Sequence, residues 1–373
     1  MESTETSIPR GKVLVTGGSG HVGANVVHAL LDDGQDVRCL VQEGANNRAL
    51  DGLPVEQVQG DLRDYDAMVR ATKGCTRVFH VAAKVSTLNA SAGEQRDLYD
   101  INVIGTRNLL RASMDSGVAR AVVTGSFSAT GYDPDDPSRP SHEAMPFYPF
   151  GAVMPYARTK ALAEHETLKC VVDGFDAVIA TSCACIGPWD YLPSRMGRTM
   201  IDYTHGKLRA YIPGGFDFVN AHDIARGHLL AMEHGRRGQK YIISTAFHVL
   251  EELVEMFSEI SGLPPVRLEV PPQLMAAVTG LYAGSLAKVF PKLPQRLTPG
   301  AIGVLRMRRH ADTSKAQQEL GYRPGAIRDA VRDAMVFFAR EGKLPDAVAQ
   351  HVLSHHAEDA DAAAASARPI AAQ

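Results

Sequence analysis

Apolar positions along the chain alternate between two rhythms. The runs VLVTG (13–17), DVRCLV (36–41), RVFHVAA (77–83), ARAVVTGS (119–126) and DAVIATSC (176–183) are β-branched and short, as buried strands are, and VEQVQGD (55–61) adds a further strand. Between them the apolar spacing turns helical. Val26, Val27, Leu30 and Leu31 share one face of a helix over Ala24–Leu31 that Gly34 can stop. Further helices are predicted over about 66–71, in one long stretch to about Gly117, and over about 156–172. Strands alternating with helices imply right-handed βαβ units, and so an α/β fold with a doubly wound parallel sheet.

Past Ile186 the regularity weakens and Pro and Gly become frequent, which divides the chain. Residues 1–10 read as a disordered lead-in, 11–185 as the first domain, and 186–345 as a smaller lobe. Segment 218–245, with its helical AHDIARGHLLAME (221–233), is expected to return to the first domain. The Ala-rich end, 346–373, reads as a mobile tail adding little to the core. The start, MESTETSIPR, lacks the apolar core of a signal or anchor. The run LMAAVTGLYAGSLA (274–287) is too short and too glycine-interrupted to span a membrane.

Charge narrows the partners. With 39 Lys and Arg against 42 Asp and Glu, nothing in bulk attracts nucleic acid, and peripheral contact with an anionic membrane is not expected. The five cysteines are scattered without a CxxC pair, which argues against a disulfide framework or structural zinc and fits a reducing cytoplasm. His351, His355 and His356 have helical spacing but lie in the expected tail, so no metal site is read there. RMRRH (306–310) reads as a solvated face, and MAAVTGLYAGSLAKVF (275–290) as a helix capping the lobe.

Chemistry concentrates in a few places. In VTGGSGHVG (15–23) the glycines at 17, 20 and 23 sit where a strand should turn into a helix. Such a turn presents free N–H groups and the positive helix end to a pyrophosphate, and glycine lets the phosphate approach. In YARTK (156–160), Tyr156 and Lys160 share a helix face. An ammonium beside a phenol favours the phenolate and suits the tyrosine to proton exchange with an alcohol or carbonyl. Ser126 ends a strand at the carboxyl edge of the sheet and can hydrogen-bond the same oxygen, with Ser128 as the alternative.

TGGSGHVG, GDLRD (60–64), FHVAA (79–83), NVIGTRNLL (102–110), TGS (124–126), YARTKALAE (156–164) and the closing SKAQQELGYRP (314–324) together resemble the extended short-chain dehydrogenase/reductases, the NAD-dependent epimerase/dehydratase group. FVNAHDIARGHLLAMEHG (218–235) is most similar to the branch holding dihydroflavonol reductases, 3β-hydroxysteroid dehydrogenases and hopanoid-associated sugar epimerase-like proteins. The resemblance implies a Rossmann-type doubly wound parallel sheet with a smaller C-terminal substrate-binding lobe. It implies catalytic roles for Ser126, Tyr156 and Lys160, with Asn102 anchoring the helix behind them and Lys160 also holding the nicotinamide ribose. It puts Gly17, Ser19, Gly20, His21, Val22 and Gly23 on the cofactor phosphates, Asp61 on the adenine amino group with Leu62 beside the ring, and Ala82, Ala83, Lys84 and Thr124 along the cofactor.

Three positions depart from that pattern. Val41 and Gln42 stand where relatives carry the Asp or Arg that selects NAD or NADP, leaving Arg48, and less so Arg38, to meet a 2′-phosphate. Thr181 and Ser182 replace the usual Asn-Pro or Arg-Pro, so Ser182, Cys183 and Cys185 form an altered wall near the nicotinamide, both cysteines reading as small packed groups. Gly125 replaces a serine, with little chemical consequence expected.

The reading is a two-lobed NAD(P)H-dependent enzyme, NADP(H) ahead of NAD(H), reducing a ketone to a secondary alcohol or the reverse on a mid-sized, largely apolar small molecule. Ser128, Phe150, Trp189, Tyr191 and Met196 are the candidate substrate contacts. An NAD-dependent sugar or nucleotide-sugar epimerase, and a cofactor-sensing regulatory protein, are the alternatives. A homodimer is open, with Leu98, Leu109, Leu162 and Ala163 facing either a partner or the sheet.

Overall fold

The structure is a computed structural model and describes residues 8–86, 91–133, 135–136, 138–147, 154–271, 305 and 307–366. The expected Phe150 contact and the 275–290 helix lie outside the described residues.

The first half builds β1 (Lys12–Thr16), α1 (His21–Asp32), β2 (Val37–Val41), β3 (Glu56–Gln59), α2 (Tyr65–Thr72), β4 (Cys75–His80), α3 (Ala92–Tyr99), α4 (Gly105–Asp115), β5 (Arg120–Ser126), α5 (Pro155–Val172) and β6 (Ala177–Ser182). There follow β7 (Ala184–Ile186), α6 (Arg195–Thr204), β8 (Gly215–Asn220), α7 (Ala221–His234), β9 (Lys240–Ile243), β10 (Ala246–Val249) and α8 (Leu250–Ser261), then α9 (Ser314–Leu320), α10 (Ile327–Arg340) and α11 (Asp346–Ser366).

Seven strands form one sheet in the order β3-β2-β1-β4-β5-β6-β9, every neighbouring pair parallel. The order reverses at β1, so the carboxyl ends of β1 and β4 open a crevice where such sheets bind ligands. Strand alternation splits the burial between two faces. Val13, Val15 and Val122 join a core with α1 and α7, while Leu14, Ala121 and Val123 join another beneath α2, α4 and α5. Apart from the exposed edge strand β3, the strands are largely buried on both sides, which is why they read as continuous apolar runs.

A three-stranded sheet, β10-β8-β7, carries a separate core with α6, α8, α10 and α11. Segment 218–245 is shared between the two sheets. Its first residues complete β8, α7 packs against α1, and β9 pairs with β6.

Two elements differ from their sequence reading. The helix expected to run unbroken to Gly117 is α3, a π-helical turn at Asp100–Ile104, then α4. Helical spacing is blind to one extra residue in a turn, and π turns gather at functional sites. The region expected to be a tail begins with α11, whose Val348 and Val352 are buried in the second core. Two valines four apart in an Ala-rich stretch suffice to dock a helix, since each buried side chain contributes about 1.5–3 kcal/mol. Leu98, Leu109 and Ala163, weighed as partner-facing, are buried within the chain. Among the described residues no helix is long and apolar enough to cross a membrane.

Candidate active site

β1 delivers the chain to Gly17, whose φ of +73° favours glycine and whose missing Cβ would lie 2.7 Å from the Ala82 backbone. Gly23 is more constrained, because a Cβ there would lie 2.0 Å from the Gly17 carbonyl oxygen. Gly20 caps α1 without any side-chain hydrogen bond, so the first N–H groups of that helix stay available to an anion. This glycine cradle, with an open helix start at the switch point of the sheet, fits a dinucleotide pyrophosphate.

The cradle is one wall of a cavity of about 790 Å³ that runs along the carboxyl edge of the sheet. Gly17, Ser19, Gly20, His21, Val22 and Gly23 line its middle, Gln42, Asp61 and Leu62 one end, and Ala82, Ala83, Lys84, Thr124, Ser126, Tyr156 and Lys160 the other, closed by Ser182, Cys183 and Cys185. Ala45, Asn47, Ile101 and Ser194 line it as well, small or ambivalent residues that no pattern in the sequence distinguishes.

At the adenine end, Arg63 grips Asp61 with Nε at 3.0 Å and a second nitrogen at 2.6 Å, and Gln42 donates to the same carboxylate at 3.1 Å. The guanidinium holds the Asp61 carboxyl down at about 2. Arg38 points elsewhere, donating to the carbonyls of Ala71 and Lys73 and pairing with Glu56. Arg48 lies beside the cavity wall rather than in it, paired with Glu341 at 3.0 Å and over the Tyr191 ring.

At the opposite end β5 finishes at Ser126, directly across from Ser182 on β6. Ser126 Oγ lies 2.8 Å from Ser128 Oγ, so the two candidate serines share one hydrogen bond, although Ser128 is not in the cavity wall. Pro155 starts α5, and Tyr156 and Lys160 follow on one face. Burial pushes the Tyr156 phenol up, and a hydrogen bond with Ser126 opposes this. Lys160 is buried and donates to the Thr124 carbonyl at 2.5 Å. Burial pushes its ammonium down to about 8, with Glu164 opposing. The lowered phenol expected from a neighbouring lysine is therefore not seen, because burial dominates and the ammonium is turned to the backbone of β5.

Asn102 sits in the π turn and ties two parts of this wall together. Its Oδ1 accepts from the Lys84 N–H at 2.7 Å, and its Nδ2 donates to the Lys84 carbonyl at 2.9 Å and to Thr159 Oγ1 at 3.1 Å. Thr159 in turn donates to the Tyr156 carbonyl at 2.8 Å. The asparagine thus fixes the first turn of α5 against the loop after β4.

Two buried histidines brace the same edge and went unread in the sequence. The Thr106 hydroxyl donates to the Asn102 carbonyl, so it accepts from His80 Nε2 at 2.8 Å, leaving Nδ1 to accept from Thr16 at 2.8 Å. His228 gives its Nδ1 proton to the Ile224 carbonyl and accepts from Thr124 Oγ1 at 2.8 Å. Burial holds His80 at about 3 and His228 at about 4, so both are neutral braces. Their signal was a lone histidine within an apolar strand or helix face.

Trp189, Tyr191 and Met196 are not among the residues lining the cavity. Trp189, in left-handed backbone at φ +63°, stacks on His28 at 4.0 Å, and Trp189, Tyr191 and Met196 pack on the second core. The aromatics come together, partly buried against that core. Burial pushes the thiols of Cys183 and Cys185 up, which suits packed groups and not nucleophiles. Arg309, read as part of a solvated face, is instead partly buried over the Phe127 ring and donates to the carbonyls of Thr130 and Gly131. Among the described residues no His, Cys, Asp and Glu group could hold a metal ion.

A doubly wound sheet with a glycine cradle at its switch point and a Ser, Tyr and Lys set in the same cavity defines the class: a nicotinamide-dinucleotide-binding enzyme. The family model described as "NAD dependent epimerase/dehydratase family" matches residues 13–244. The chain belongs to that family, the extended short-chain dehydrogenase/reductases. It is 38% identical over 331 residues to "Sterol demethylase protein B" of Methylococcus capsulatus, covering 89% of this chain and 99% of the relative. It is 30% identical over 334 residues to "3 beta-hydroxysteroid dehydrogenase/Delta 5-->4-isomerase" of Mycobacterium tuberculosis, covering 84% and 86%. Among solved structures it resembles that of gox2253, with a TM-score of 0.77 and 31% identity over 90% of this chain and all of the other.

Proposed function

We propose that this enzyme interconverts a ketone and a secondary alcohol on a mid-sized, largely apolar molecule, using NADP(H) ahead of NAD(H). The observation that carries this is the placement of Ser126, Tyr156 and Lys160 at one end of the cavity whose middle is the glycine cradle. Relatives named for sterol demethylation and 3β-hydroxysteroid dehydrogenation support a polycyclic, sterol-like substrate. The second core around β7, β8 and β10, with residues 186–345, is the lobe that would cover it.

Gly17, Gly20 and Gly23 would hold the pyrophosphate, Asp61 the adenine, and Lys160 the nicotinamide ribose hydroxyls. When bound, the dinucleotide accepts or supplies a hydride at the substrate carbon. Ser126 orients the substrate oxygen, and Tyr156 moves the proton to or from it. Asn102 and Thr159 keep the Tyr156 turn in place. Turning the Lys160 ammonium from the Thr124 carbonyl toward the ribose would bring its charge closer to the phenol and lower the phenol's pKa. β2 ends at Val41, followed by Gln42, rather than in an acidic residue, Gln42 donating to Asp61, and Arg48, paired with Glu341, lies on the next turn.

The test is to titrate NADPH and NADH into the purified protein by nicotinamide fluorescence and then screen cyclic and polycyclic ketones for loss of nicotinamide absorbance. Tighter NADPH binding and turnover of a polycyclic ketone are expected. Weak, equal binding of both coenzymes would defeat the cofactor assignment, and retention of bound NAD with no net oxidation would point to epimerisation.

A further inference from the structure

Behind Lys160, away from the cavity, the chain builds a second charged layer. Glu164 lies one helical turn after Lys160 on α5 and is 9% exposed, with Lys160 at 6%. Its Oε2 pairs with Lys240 Nζ of β9 at 2.9 Å, and both side chains are largely buried. Its Oε1 is buried and has no hydrogen-bond partner among the described residues, and the same holds for Thr181 Oγ1 on β6. Both orphan atoms face one spot, the place where Gly125 lacks a side chain. A Cβ there would lie 2.6 Å from Thr181 Oγ1 and 3.2 Å from Glu164 Oε1.

A buried carboxylate usually costs several kcal/mol unless it is paired. Here one oxygen is paired with Lys240 and the other is left open toward Gly125 and Thr181, one helical turn on from Lys160; burial pushes the Glu164 carboxyl up and the charges of Lys240 and Lys160 work against this, as for a shared counterion. We propose that Glu164 is a positioning residue for Lys160, held between Lys160 and Lys240 in the space that Gly125 and Thr181 leave, and that its charge keeps the Lys160 ammonium able to serve the site at neutral pH. The proposal rests on the Ser126, Tyr156 and Lys160 reading above.

The other groups facing Lys160 do not substitute for Glu164. His80 and His228 are both neutral at pH 7, Tyr156 is a neutral phenol, and Lys240 carries like charge. Burial alone drives the Lys160 ammonium toward its neutral form, and Glu164 is the influence working against it.

The experiment compares Glu164→Gln, Lys240→Gln and Lys160→Met in the full chain. It measures kcat/KM against pH from 6 to 10, and separately the Kd of NADPH against pH by fluorescence. Glu164→Gln is expected to move the alkaline limb of both profiles down by about one pH unit or more, so that activity and coenzyme affinity fall at neutral pH and are kept best near pH 6. Lys240→Gln, which removes a competing positive charge, is expected to move it the opposite way. A uniform loss of rate with unmoved limbs, or limbs moving the same way in both variants, would overturn the proposal. If Glu164→Gln does not fold, Lys240→Gln alone decides by the sign of its shift. Undiminished turnover in Lys160→Met would instead overturn the parent reading of the site, whatever the Glu164 result.

Discussion

The glycine at 125 was expected to matter little, and the structure gives it a measurable role. Alanine at this position would put a methyl group 2.6 Å from Thr181 Oγ1, 3.0 Å from Ile179 Cγ2 and 3.2 Å from Glu164 Oε1. Two of these atoms belong to β-branched residues of β6, which cannot swing aside without leaving their rotamers. Over-packing of this kind costs about 1–3 kcal/mol. The first contact is the tightest, so Thr181→Ala should open most of the room needed. Among the described residues Thr181 Oγ1 has no partner to lose, and Thr181→Ala alone should cost about 1 kcal/mol, the value of one buried methyl group. Urea unfolding of wild type, Gly125→Ala, Thr181→Ala and the double variant gives the coupling directly. Gly125→Ala should cost at least about 1 kcal/mol less in the Thr181→Ala background. Equal cost in the two backgrounds would refute the claim that these positions are one packing unit.

Other outcomes follow from the same geometry. Gly23→Ala should raise the Kd of either coenzyme by on the order of 100-fold, about 2.7 kcal/mol, with far-UV circular dichroism unchanged, because its Cβ collides with the Gly17 carbonyl that shapes the cradle. An unchanged Kd would remove the cradle from the cofactor site. His80 and His228 have pKa values below their unfolded value near 6.5, at about 3 and about 4. They therefore leave stability flat above pH 6.5 and erode it as pH falls below, since only the unfolded chain takes up the protons there. The slope is up to about 1.4 kcal/mol per pH unit for each histidine. Denaturant unfolding between pH 7 and pH 5 checks this, with His228→Gln expected to remove one histidine's share and an unchanged slope counting against it. Val352→Ala should destabilise the chain by about 2 kcal/mol through the second core, and a neutral effect would show α11 to be an appendage.

Much of the sheet was legible because its strands are buried on both faces and so write continuous β-branched runs, as in VLVTG and AVVTGS. The glycine cradle was legible because close backbone approach admits nothing but glycine, as the Gly17 to Ala82 and Gly23 to Gly17 distances show. What stayed hidden depends on contacts between distant segments. Trp189 and Tyr191 read as substrate contacts because an aromatic residue looks the same in a pocket wall and in a core, and Phe337, which they pack against, lies far along the chain. That Arg48, read as a candidate for a 2′-phosphate, pairs with Glu341, and that Arg309, read as part of a solvated face, donates to the 130–131 carbonyls, was hidden because those partners are remote in sequence. The π turn holding Asn102 and the Glu164 layer behind Lys160 likewise exist only in the folded chain.

The central claim is that this cavity binds a nicotinamide dinucleotide and that Tyr156 carries the proton of its redox step. The most direct measurement is a paired one on Tyr156→Phe and wild type: coenzyme Kd by nicotinamide fluorescence, and turnover with a ketone substrate under the same conditions. Coenzyme Kd values within about threefold of each other, under 1 kcal/mol apart, and turnover reduced by roughly 10²–10⁴-fold in the variant are expected. Equal turnover in the two proteins, or a wild type that binds neither coenzyme, would contradict that claim.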